Sequence, residues 1–538
     1  MKPQPPESVS RPKSGDSTTL IHTLRERRDM ASEAVIDVRE RGATGDGETE
    51  DTEVLQSALD ETAENGGTVY LPAGEYLSAP LVVGDDTTLH LEAGATLKFV
   101  RDHEAFPSAE SRWEGWDQVG FHPCLRVFEA ENVEIRGKGT IDGQGDYWWQ
   151  FYEAEDEMPA SLQERLAEFA AQNDKEDDVS SFTLRPPLFQ VYDSDNVTVS
   201  GVRLKRSPFW NTHIVYSDNV TLHDVNVANP ADAPNGDGID IDSSQHVRIS
   251  DSYINAGDDA ICIKSGKNEE GREVGVPASQ ITVTNCTVEA GHGGVVIGSE
   301  MSGDVRDVTV SNCTFTNTDR GVRIKTQRDR GAVVEDLRFD TIVMRHVACP
   351  FVINGYYFMD IDSDEIPVDE GTPMVRNVEF HDITARDVES AAFLAGLPEQ
   401  RFEGISFDNV EIDATRDLDA SDLSPAMASN YDQQHSLFCK SIDDISFNNV
   451  EIRTPEGPAM TFEETSSVTF DGLDVSEVSS PAVVTTDVDR MVVSGCDGET
   501  APETFLDANG DGVVSLAGNH GSLADGVDAE DGVTVESE

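Results

Sequence analysis

Positive charge is scarce in this chain of 538 residues, which has 39 Lys and Arg residues against 103 Asp and Glu residues. The formal net charge at pH 7 is −64, which argues against a nucleic acid or an acidic membrane surface as a partner. Such an excess of one sign is typical of disordered chains. Folded proteins also tolerate it in concentrated salt, where the Debye length falls to about 3 Å at 1 M. Since the strand repeats described below require an ordered core, we expect a halophilic source.

Apolar runs are missing from the N-terminus, which is polar and rich in proline and charge up to about residue 35. The pair Arg27-Arg28 is followed by Asp29 instead of an apolar stretch, so neither a secretory signal nor a membrane helix is expected there. We therefore predict a flexible N-terminal arm over residues 1–35, no contact with a membrane, and a cytoplasmic location.

Metal-binding sequence patterns are absent as well. The seven cysteines include no CxxC pair and no zinc-like spacing with histidine. Their number is odd, and several lie in or beside strand repeats, so we expect small buried hydrophobic residues rather than disulfides or metal ligands. The segment Asp507–Gly512 begins like a calcium loop, but Gly518 replaces the Glu that would close it. The sequence predicts no metal and no other cofactor.

Short β-branched strands recur along most of the chain at irregular intervals. They include Val133–Ile135, Val197–Val199, Val220–Leu222, Val247–Ile249, Ile281–Val283, Val308–Val310, Leu337–Phe339, Val378–Phe380, Ile405–Phe407, Ile445–Phe447, Val468–Phe470 and Met491–Val493. Asn or Asp often precedes the strand, which suits a tight bend, and helical periodicity is lacking. This pattern predicts an all-β fold, a right-handed parallel β-helix whose coils stack in one dimension.

The β-helix is expected to form a single domain over residues 36–495. Apolar residues at helical spacing predict an N-terminal helix that caps the open end of the stack; they are Val54, Leu55, Ala58 and Leu59. Residues 151–184 break the strand rhythm, and a second helical spacing predicts a helix within this insertion, from Leu162, Leu166 and Phe169. The polar residues 496–538 are expected to form a loose C-terminal tail.

Four similar strands lie in the middle of the chain: Gly238–Ile241, Ala260–Ile263, Gly294–Ile297 and Gly321–Ile324. If they occupy the same position in consecutive coils, the residues before them form two columns. The first contains Asp237, Asp259, Gly293 and Arg320, and the second contains Gly236, Asp258, His292 and Asp319. Because coils rise by about 4.8 Å, three carboxylates and an imidazole are predicted to meet near Arg323 and Lys325, which follow on the last strand.

The acidic pair Asp258-Asp259 is a weak signal alone, since the same tripeptide recurs as Gly84-Asp85-Asp86 without partners. The pair Asp258-Asp259 differs from Asp85-Asp86 in its neighbours in register. These are Asn235-Gly-Asp237 one coil earlier and Gly291-His-Gly293 one coil later. Repulsion between adjacent carboxylates raises the free energy of ionising all of them, so one keeps a proton near neutral pH. An acid and a base side by side are what cleavage of a glycosidic bond requires.

Five cations fall within eleven residues of this otherwise acidic chain: Arg320, Arg323, Lys325, Arg328 and Arg330. One interpretation is a belt of counter-ions for the acidic surface. The other is a pocket for an anionic ligand, because arginine can bind a carboxylate through two hydrogen bonds. Next to an acid–base cluster, the second interpretation predicts a polymer of uronic acids as the substrate.

These motifs resemble, in the same order, those of the polygalacturonases, family 28 of the glycoside hydrolases. They are Asn235-Gly-Asp237, Gly257-Asp-Asp259, Gly291-His-Gly293 and Arg323-Ile-Lys325, with Gly236 where the family usually has Thr. The resemblance covers roughly residues 36–495. It implies an inverting hydrolase, without a metal, that cleaves α-1,4-galacturonosidic bonds of polygalacturonate or oligogalacturonides. Inversion implies carboxyl groups about 6.5–9.5 Å apart, which leaves room for the attacking water.

The resemblance also implies roles for single residues. Asp258 resembles the general acid, and Asp237 and Asp259 resemble the pair that activates water. His292 resembles the residue that holds the protonation state of the acid. Substrate binding is implied for Asn235, for Arg323 and Lys325 as the clamp on a galacturonate carboxylate, and for one tyrosine, either Tyr356 or Tyr357.

Three alternatives stay open at this point. A pectate lyase shares the fold but uses calcium and an arginine base, and a rhamnogalacturonan hydrolase typically lacks the histidine found at His292. A β-helix that only binds polysaccharide would not need clustered carboxylates. Exo-type attack is predicted because the 151–184 insertion and the loops 353–376 and 412–440 flank the predicted site. The oligomeric state is left open.

Overall fold

The structure is a computed structural model that describes residues 34–153, 158–173, 185–417, 431, 434–475, 477–479, 481–497, 501–521 and 523–537. Of the predicted N-terminal arm, residues 1–33 lie outside these ranges, as do parts of the 151–184 insertion and of the 412–440 loop. No described helix is both long enough and apolar enough to cross a membrane.

The N-terminal part combines short strands with one helix. Its elements are β1 (Val35–Asp37), β2 (Asp46–Glu50), α1 (Thr52–Asn65), β3 (Gly67–Leu71), β4 (Gly74–Ser78), β5 (Leu81–Val83), β6 (Thr87–Leu91) and β7 (Ala95–Phe99). Helix α1 buries Leu55, Ala58 and Leu59 in the main core. It ends before Gly66, whose φ of 72° favours glycine. The predicted capping helix is therefore confirmed.

Two segments before the central coils lie outside the regular stack of strands, one a hairpin and the other a pair of helices. Strands β8 (Ser108–Trp113) and β9 (Trp116–Phe121) form an antiparallel hairpin that is separate from the main sheet. Strands β10 (Leu125–Phe128), β11 (Glu131–Gly137) and β12 (Thr140–Asp142) precede helices α2 (Asp146–Glu153) and α3 (Ala160–Gln172). Helix α3 lies within the 151–184 insertion, where the apolar spacing predicts a helix, and it buries Leu162 and Phe169.

The next coils contain three strands each, and every strand pairs in parallel with the third strand after it. They comprise β13 (Phe189–Tyr192), β14 (Asp195–Ser200), β15 (Arg203–Lys205), β16 (Thr212–Val215), β17 (Asp218–His223), β18 (Asn226–Ala228), β19 (Ile239–Asp242), β20 (Arg248–Ser250) and β21 (Tyr253–Asn255). The register matches the sequence repeat, since Val197 pairs with Val220 and Ile214 pairs with Ile241. Asn196 and Asn219 adopt positive φ at the bends, which asparagine tolerates.

Later coils contain longer strands, but the parallel stacking continues. They comprise β22 (Asp259–Lys264), α4 (Asn268–Val274), β23 (Ala278–Thr284), β24 (Thr287–Gly298), β25 (Val305–Thr316), β26 (Thr318–Lys325), β27 (Val333–Arg345), β28 (Cys349–Asn354), β29 (Met374–Arg386), β30 (Ala392–Ala395), β31 (Phe402–Asp413), β32 (Leu437–Lys440), β33 (Ile442–Arg453), β34 (Met460–Asp471) and β35 (Val483–Ser494). The fold is thus a right-handed parallel β-helix, as the repeats predict.

The core consists of inward-facing apolar residues that repeat from coil to coil. Five phenylalanines form a ladder in which successive ring centroids are 5.3, 4.8, 5.1 and 5.4 Å apart: Phe339, Phe380, Phe407, Phe447 and Phe470. All seven cysteines are free and buried, as expected for small hydrophobic residues. This stack is the rigid frame on which the side chains of the central coils are arranged.

The C-terminal residues extend the stack instead of forming the loose tail that their polar composition suggests. Strands β36 (Leu506–Asn509), β37 (Gly512–Ala517), β38 (Val527–Ala529) and β39 (Val533–Ser537) pair in parallel with one another or with β35. Leu506, Ala508, Val514 and Leu516 are buried at alternate positions. This alternation supplies enough inward-facing apolar surface to continue the coils.

Candidate active site

Strands β19, β22, β24 and β26 lie side by side in consecutive coils and carry the predicted site. Ile239 pairs with Ile261, Ile261 with Val295, and Val295 with Val322. The same register aligns Asp259 with Gly293 and Gly293 with Arg320, which confirms the predicted column. A Cβ atom on Gly293 would lie 3.3 Å from Oδ1 of Asp259, so glycine lets this coil approach the carboxylate closely.

A cavity of about 310 Å³ opens at the ends of these strands. It is lined by the four predicted catalytic residues, Asp237, Asp258, Asp259 and His292, and by the predicted binding residues Asn235, Arg323, Lys325 and Tyr357. Further lining residues that the sequence did not indicate include Glu114, Trp210, Lys264, Glu300 and Phe358. The structure therefore brings together, at one place, residues of β22, β24 and β26 and residues of loops, including the loop that precedes β19.

The three aspartates form a compact cluster. One carboxylate oxygen from each of Asp237, Asp258 and Asp259 lies within 4.8 Å of the others. The approach is closer than the predicted 6.5–9.5 Å between carboxyl groups, because adjacent coils are separated by only about 4.8 Å. The side chain of Asp258 is 23% exposed, whereas those of Asp237 and Asp259 are 5% and 1% exposed. Asp258 is thus the member of the cluster that a ligand in the cavity can reach most easily.

Two cations surround Asp259. The Lys325 ammonium donates a hydrogen bond of 2.7 Å to Oδ2, and an Arg323 nitrogen lies 3.9 Å from Oδ1. Burial alone would raise the pKa of Asp259, but Lys325 and Arg323 outweigh it and hold the pKa well below the usual range. Asp259 is therefore ionised throughout the range in which proteins are normally active.

Asp237 has the opposite electrostatic environment. Burial, followed by the charges of Asp240 and Asp258, raises its pKa well above that of an exposed aspartate. Interacting carboxyls titrate as a group, so the retained proton belongs to the cluster. The site therefore combines a carboxyl group of lowered pKa with one of raised pKa within a few ångströms.

His292 contacts the exposed member of the cluster. Its Nδ1 atom lies 3.0 Å from Oδ1 of Asp258, and its backbone N–H donates to the Asp258 carbonyl at 2.8 Å. The side-chain hydrogen bond to Asp258 raises the pKa of His292 and outweighs the opposite effect of burial. The predicted association of His292 with the Asp258 carboxyl is thus present in the fold.

Tyr357, and not Tyr356, faces the cavity. The Tyr357 ring centroid lies 5.4 Å from Cζ of Arg323 and 5.5 Å from Nζ of Lys325. Tyr356 is fully buried in a separate apolar cluster beside Val352 and Phe393. The two tyrosines are adjacent in sequence, and the turn directs them to opposite sides.

The predicted basic run divides into two groups. Arg320, Arg323 and Lys325 line the cavity. Arg328 instead forms an ion pair with Glu399, with a shortest distance of 2.6 Å, and Arg330 donates to the Ser299 carbonyl at 2.8 Å. Asn235, which also lines the cavity, accepts a 2.7 Å hydrogen bond from Arg185. Part of the run therefore faces a ligand site, and part of it fastens loops.

Sequence analysis missed a buried lysine below the aspartates. Nζ of Lys264 lies 3.3 Å from Oδ1 of Asp240, 3.6 Å from Oε2 of Glu300 and 4.0 Å from Oδ2 of Asp237. Asp240 and Lys264 alternate with inward-facing isoleucines, so the pattern places them on the outward face of their strands, where a charge attracts no notice. The available signal was the presence of a charge between two isoleucines, at Ile239-Asp240-Ile241.

Two features of the cavity wall were also missed. The β8–β9 hairpin brings Glu114 to the cavity and is fastened to β19 by a buried ion pair of 3.1 Å between Arg112 and Asp242. Phe358 stands at the rim, where it is 70% exposed and its ring centroid lies 4.0 Å from that of Tyr357. Its φ of +58° is unusual for a bulky residue, and such backbone strain clusters at ligand-binding sites.

The buried acidic residues also include a set with metal-like spacing. Ligand atoms of Asp237, Asp240 and Cys262 lie within 4.8 Å of one another. However, the Lys264 ammonium lies 3.3 Å from Asp240 and 4.0 Å from Asp237, so it supplies the positive charge that an ion would bring. This donor set therefore fits a lysine counter-ion better than a metal.

Comparisons with known proteins agree with one another. The sequence profile described as "Glycosyl hydrolases family 28" matches residues 68–429, more than half of the chain, and "Rhamnogalacturonase A/epimerase, pectate lyase-like" matches residues 35–92. A probable polygalacturonase of Vitis vinifera is 32% identical over 382 residues, covering 69% of this chain and 72% of the relative. An endo-polygalacturonase of Pectobacterium carotovorum subsp. carotovorum is 32% identical over 350 residues, covering 62% and 77%.

Solved structures give the same relationship. The hyperthermoactive exopolygalacturonase from Thermotoga maritima superimposes with a TM-score of 0.66 and 28% sequence identity. The match covers 80% of this chain and 96% of that protein. The relatives thus include both an exo-acting and an endo-acting enzyme.

Proposed function

Since the chain belongs to family 28 of the glycosyl hydrolases and is a glycoside hydrolase, we propose that it hydrolyses α-1,4-galacturonosidic bonds in polygalacturonate and oligogalacturonides. One observation carries the proposal: the cluster of Asp237, Asp258 and Asp259 shares a cavity with Arg323 and Lys325. The carboxylates provide an acid and a base for glycosidic cleavage. The cations provide the charge that binds a uronate carboxylate.

The proposed mechanism is a single displacement, although the carboxyl oxygens lie closer together than the roughly 6.5–9.5 Å that inversion usually implies. Asp258 is the exposed carboxyl and donates the proton to the leaving glycosidic oxygen, while His292 orients it. Asp237 and Asp259 bind one water between them. Two oxygens within 4.8 Å can share a water, because each water–carboxylate hydrogen bond is about 2.7–2.8 Å long. The water loses a proton to the aspartate pair as it attacks the anomeric carbon from the opposite face, which inverts the configuration.

Exo attack is the finer part of the proposal, and the walls of the cavity support it. The β8–β9 hairpin carries Glu114 to one part of the lining, and the loop after β28 carries Tyr357 and Phe358 to another. Cleavage in the middle of a polymer needs a groove that is open at both ends. Walls that close one end of the groove favour the binding of a chain end instead. Viscosity decides the question: exo attack lowers viscosity slowly relative to the release of reducing ends. A steep early fall in viscosity would establish endo cleavage instead.

The function itself is tested by incubating the protein with polygalacturonate in molar salt and measuring reducing ends, with a neutral glycan as the control. Hydrolysis gives reducing ends without absorbance from an unsaturated uronate, whereas a lyase gives both. Proton NMR of the first product tests inversion, since an α-linked substrate should yield the β anomer. A protein that binds polygalacturonate without releasing reducing ends would contradict the proposed activity.

A further inference from the structure

A second charged group lies next to the catalytic aspartates, and the mechanism above does not use it. Its centre is Lys264, whose ammonium lies within 4.0 Å of three carboxylates, those of Asp237, Asp240 and Glu300. Nζ also lies 4.0 Å from the ring centroid of Trp210. Lys264 is 4% exposed and Asp240 is fully buried. Interactions among these charges are therefore only weakly screened by water.

The two aspartates that bind the water differ in their counter-ions. Asp259 is one carboxylate with two cations, Lys325 and Arg323. Asp237 shares the single cation Lys264 with two other carboxylates. Because the ionised form of a buried carboxylate depends on nearby positive charge, Asp237 is the member of the pair whose ionisation is easily altered.

We propose that Lys264 is a positioning residue that favours the ionised, water-activating form of Asp237, and that Asp240 limits how strongly Lys264 does so. This inference rests on the proposed function. Lys264 reaches Asp237 from the neighbouring coil, and it is closer to Asp240 than to Asp237, 3.3 Å against 4.0 Å. A negative charge on Asp240 therefore weakens the effect of Lys264 on Asp237.

Electrostatics support this arrangement. Burial raises the pKa of Asp240 to about 7, and Lys264 acts against it. Burial also raises the pKa of Asp237, together with Asp240 and Asp258, while Lys264 lowers it. Burial by itself would lower the pKa of Lys264, but the surrounding negative groups raise it overall, so this lysine stays charged.

Other charged or titratable groups also face the cluster. On the side of Asp237 and Asp240 they are Asp258, Asp259 and Arg185. On the side of Lys264 they are Cys262, Asp242 and His213. Glu300 is further influenced by Lys267, Lys325 and Arg330. All of these groups are kept in the variants below, so a change in pH dependence reports on Lys264 and Asp240.

The experiment is the pH profile of kcat/KM on polygalacturonate for Lys264→Met and Asp240→Asn. Removing the cation raises the pKa of Asp237, so the acidic limb of Lys264→Met should move to higher pH by about one pH unit or more. Removing the negative charge of Asp240 lowers the pKa of Asp237, so the acidic limb of Asp240→Asn should move to lower pH. Shifts of opposite sign are the expected result, since a merely structural role would lower activity equally at every pH.

Two further variants serve as controls. Lys205→Met removes another lysine that pairs with an aspartate, Asp142 at 3.1 Å, and neither residue lines the cavity, so the acidic limb should stay in place. Lys264→Arg keeps the charge and should restore the wild-type limb even if Lys264→Met does not fold. The inference is wrong if the wild-type protein hydrolyses polygalacturonate but the acidic limb does not move in Asp240→Asn and Lys264→Met. It is also wrong if the acidic limb moves in the same direction in both variants. A wild-type protein that does not hydrolyse polygalacturonate overturns the proposed function, and this inference with it.

Discussion

Nζ of Lys325 lies 2.7 Å from Oδ2 of Asp259, although 66 residues separate them in the chain. The two side chains come from strands two coils apart, β26 and β22, with β24 between them. Gly293 and Gly298 of β24 are in register with Asp259 and Lys325, respectively. Because neither glycine has a side chain, the lysine can reach across the intervening coil to the carboxylate.

Asp258→Asn removes the proposed proton donor and keeps its shape, so turnover on polygalacturonate should fall by about 10²–10⁴-fold. Binding of an oligogalacturonate, measured by calorimetry, should persist. The matched control is Asp85→Asn, which makes the same change in the identical tripeptide Gly84-Asp85-Asp86 on the N-terminal coils. Normal turnover in Asp258→Asn would falsify the assignment of the acid.

Lys325→Ala leaves Asp259 buried with less compensating charge, which should destabilise the fold by about 3–5 kcal/mol at neutral pH. The pKa of Asp259 is depressed in the folded protein. The ion pair therefore contributes fully above the ordinary aspartate pKa of about 4, and its contribution is lost as the pH falls through the lower folded value. Denaturant unfolding at several pH values should show the difference between variant and wild type shrinking below about pH 4. A difference that is constant with pH would contradict this account.

Phe358→Ala should weaken binding at the rim of the cavity. Loss of an aromatic contact worth about 0.5–1.5 kcal/mol predicts a roughly two- to tenfold rise in KM, with little change in kcat. Phe358→Trp keeps a ring and should retain the wild-type KM. Tyr253→Ala serves as the control, because Tyr253 is another partly exposed aromatic, on β21. An unchanged KM in Phe358→Ala would show that this exposed ring does not contact the substrate.

The net charge of −64 should make folding depend on salt. Raising the KCl concentration shortens the Debye length from about 10 Å at 0.1 M to about 3 Å at 1 M, which screens self-repulsion. We expect the unfolding temperature to rise with KCl, and most of the rise to occur below about 1 M. A rise confined to higher concentrations would indicate exclusion of salt from the surface rather than screening, and no rise at all would argue against a halophilic origin.

The columns of the site could be predicted because a parallel coil repeats each side-chain position at a fixed spacing. Matching the Ile-rich strands sufficed to align Asp237, Asp259 and Gly293, and the structure has the same register. The choice between Tyr356 and Tyr357 could not be made in this way, since both lie after β28 in a turn without the repeat. The same limitation applies to the β8–β9 hairpin, whose antiparallel pairing interrupts the rhythm of the coils.

The buried charges Asp240 and Lys264 were missed for a different reason. Alternation with inward-facing isoleucines places them on the outward face of β19 and β22, where a charged side chain usually lies in solvent. Here that face is covered, since Asp240 is fully buried and Lys264 is 4% exposed, and the two charges pair with each other. The polar tail was misjudged because its Gly- and Asp-rich composition outweighed the weak alternation of Leu506, Ala508, Val514 and Leu516.

The site occupies four neighbouring coils near the middle of a stack that continues to Ser537. In such a stack each coil is supported only by the coils next to it. Strands β34 to β39 lie several coils away and contribute no residue to the lining of the cavity that holds the proposed catalytic carboxyl groups. Fraying that begins at the C-terminal end can remove β-structure before it disturbs Asp237, Asp258 or Asp259, so heat can melt part of the molecule while hydrolysis continues.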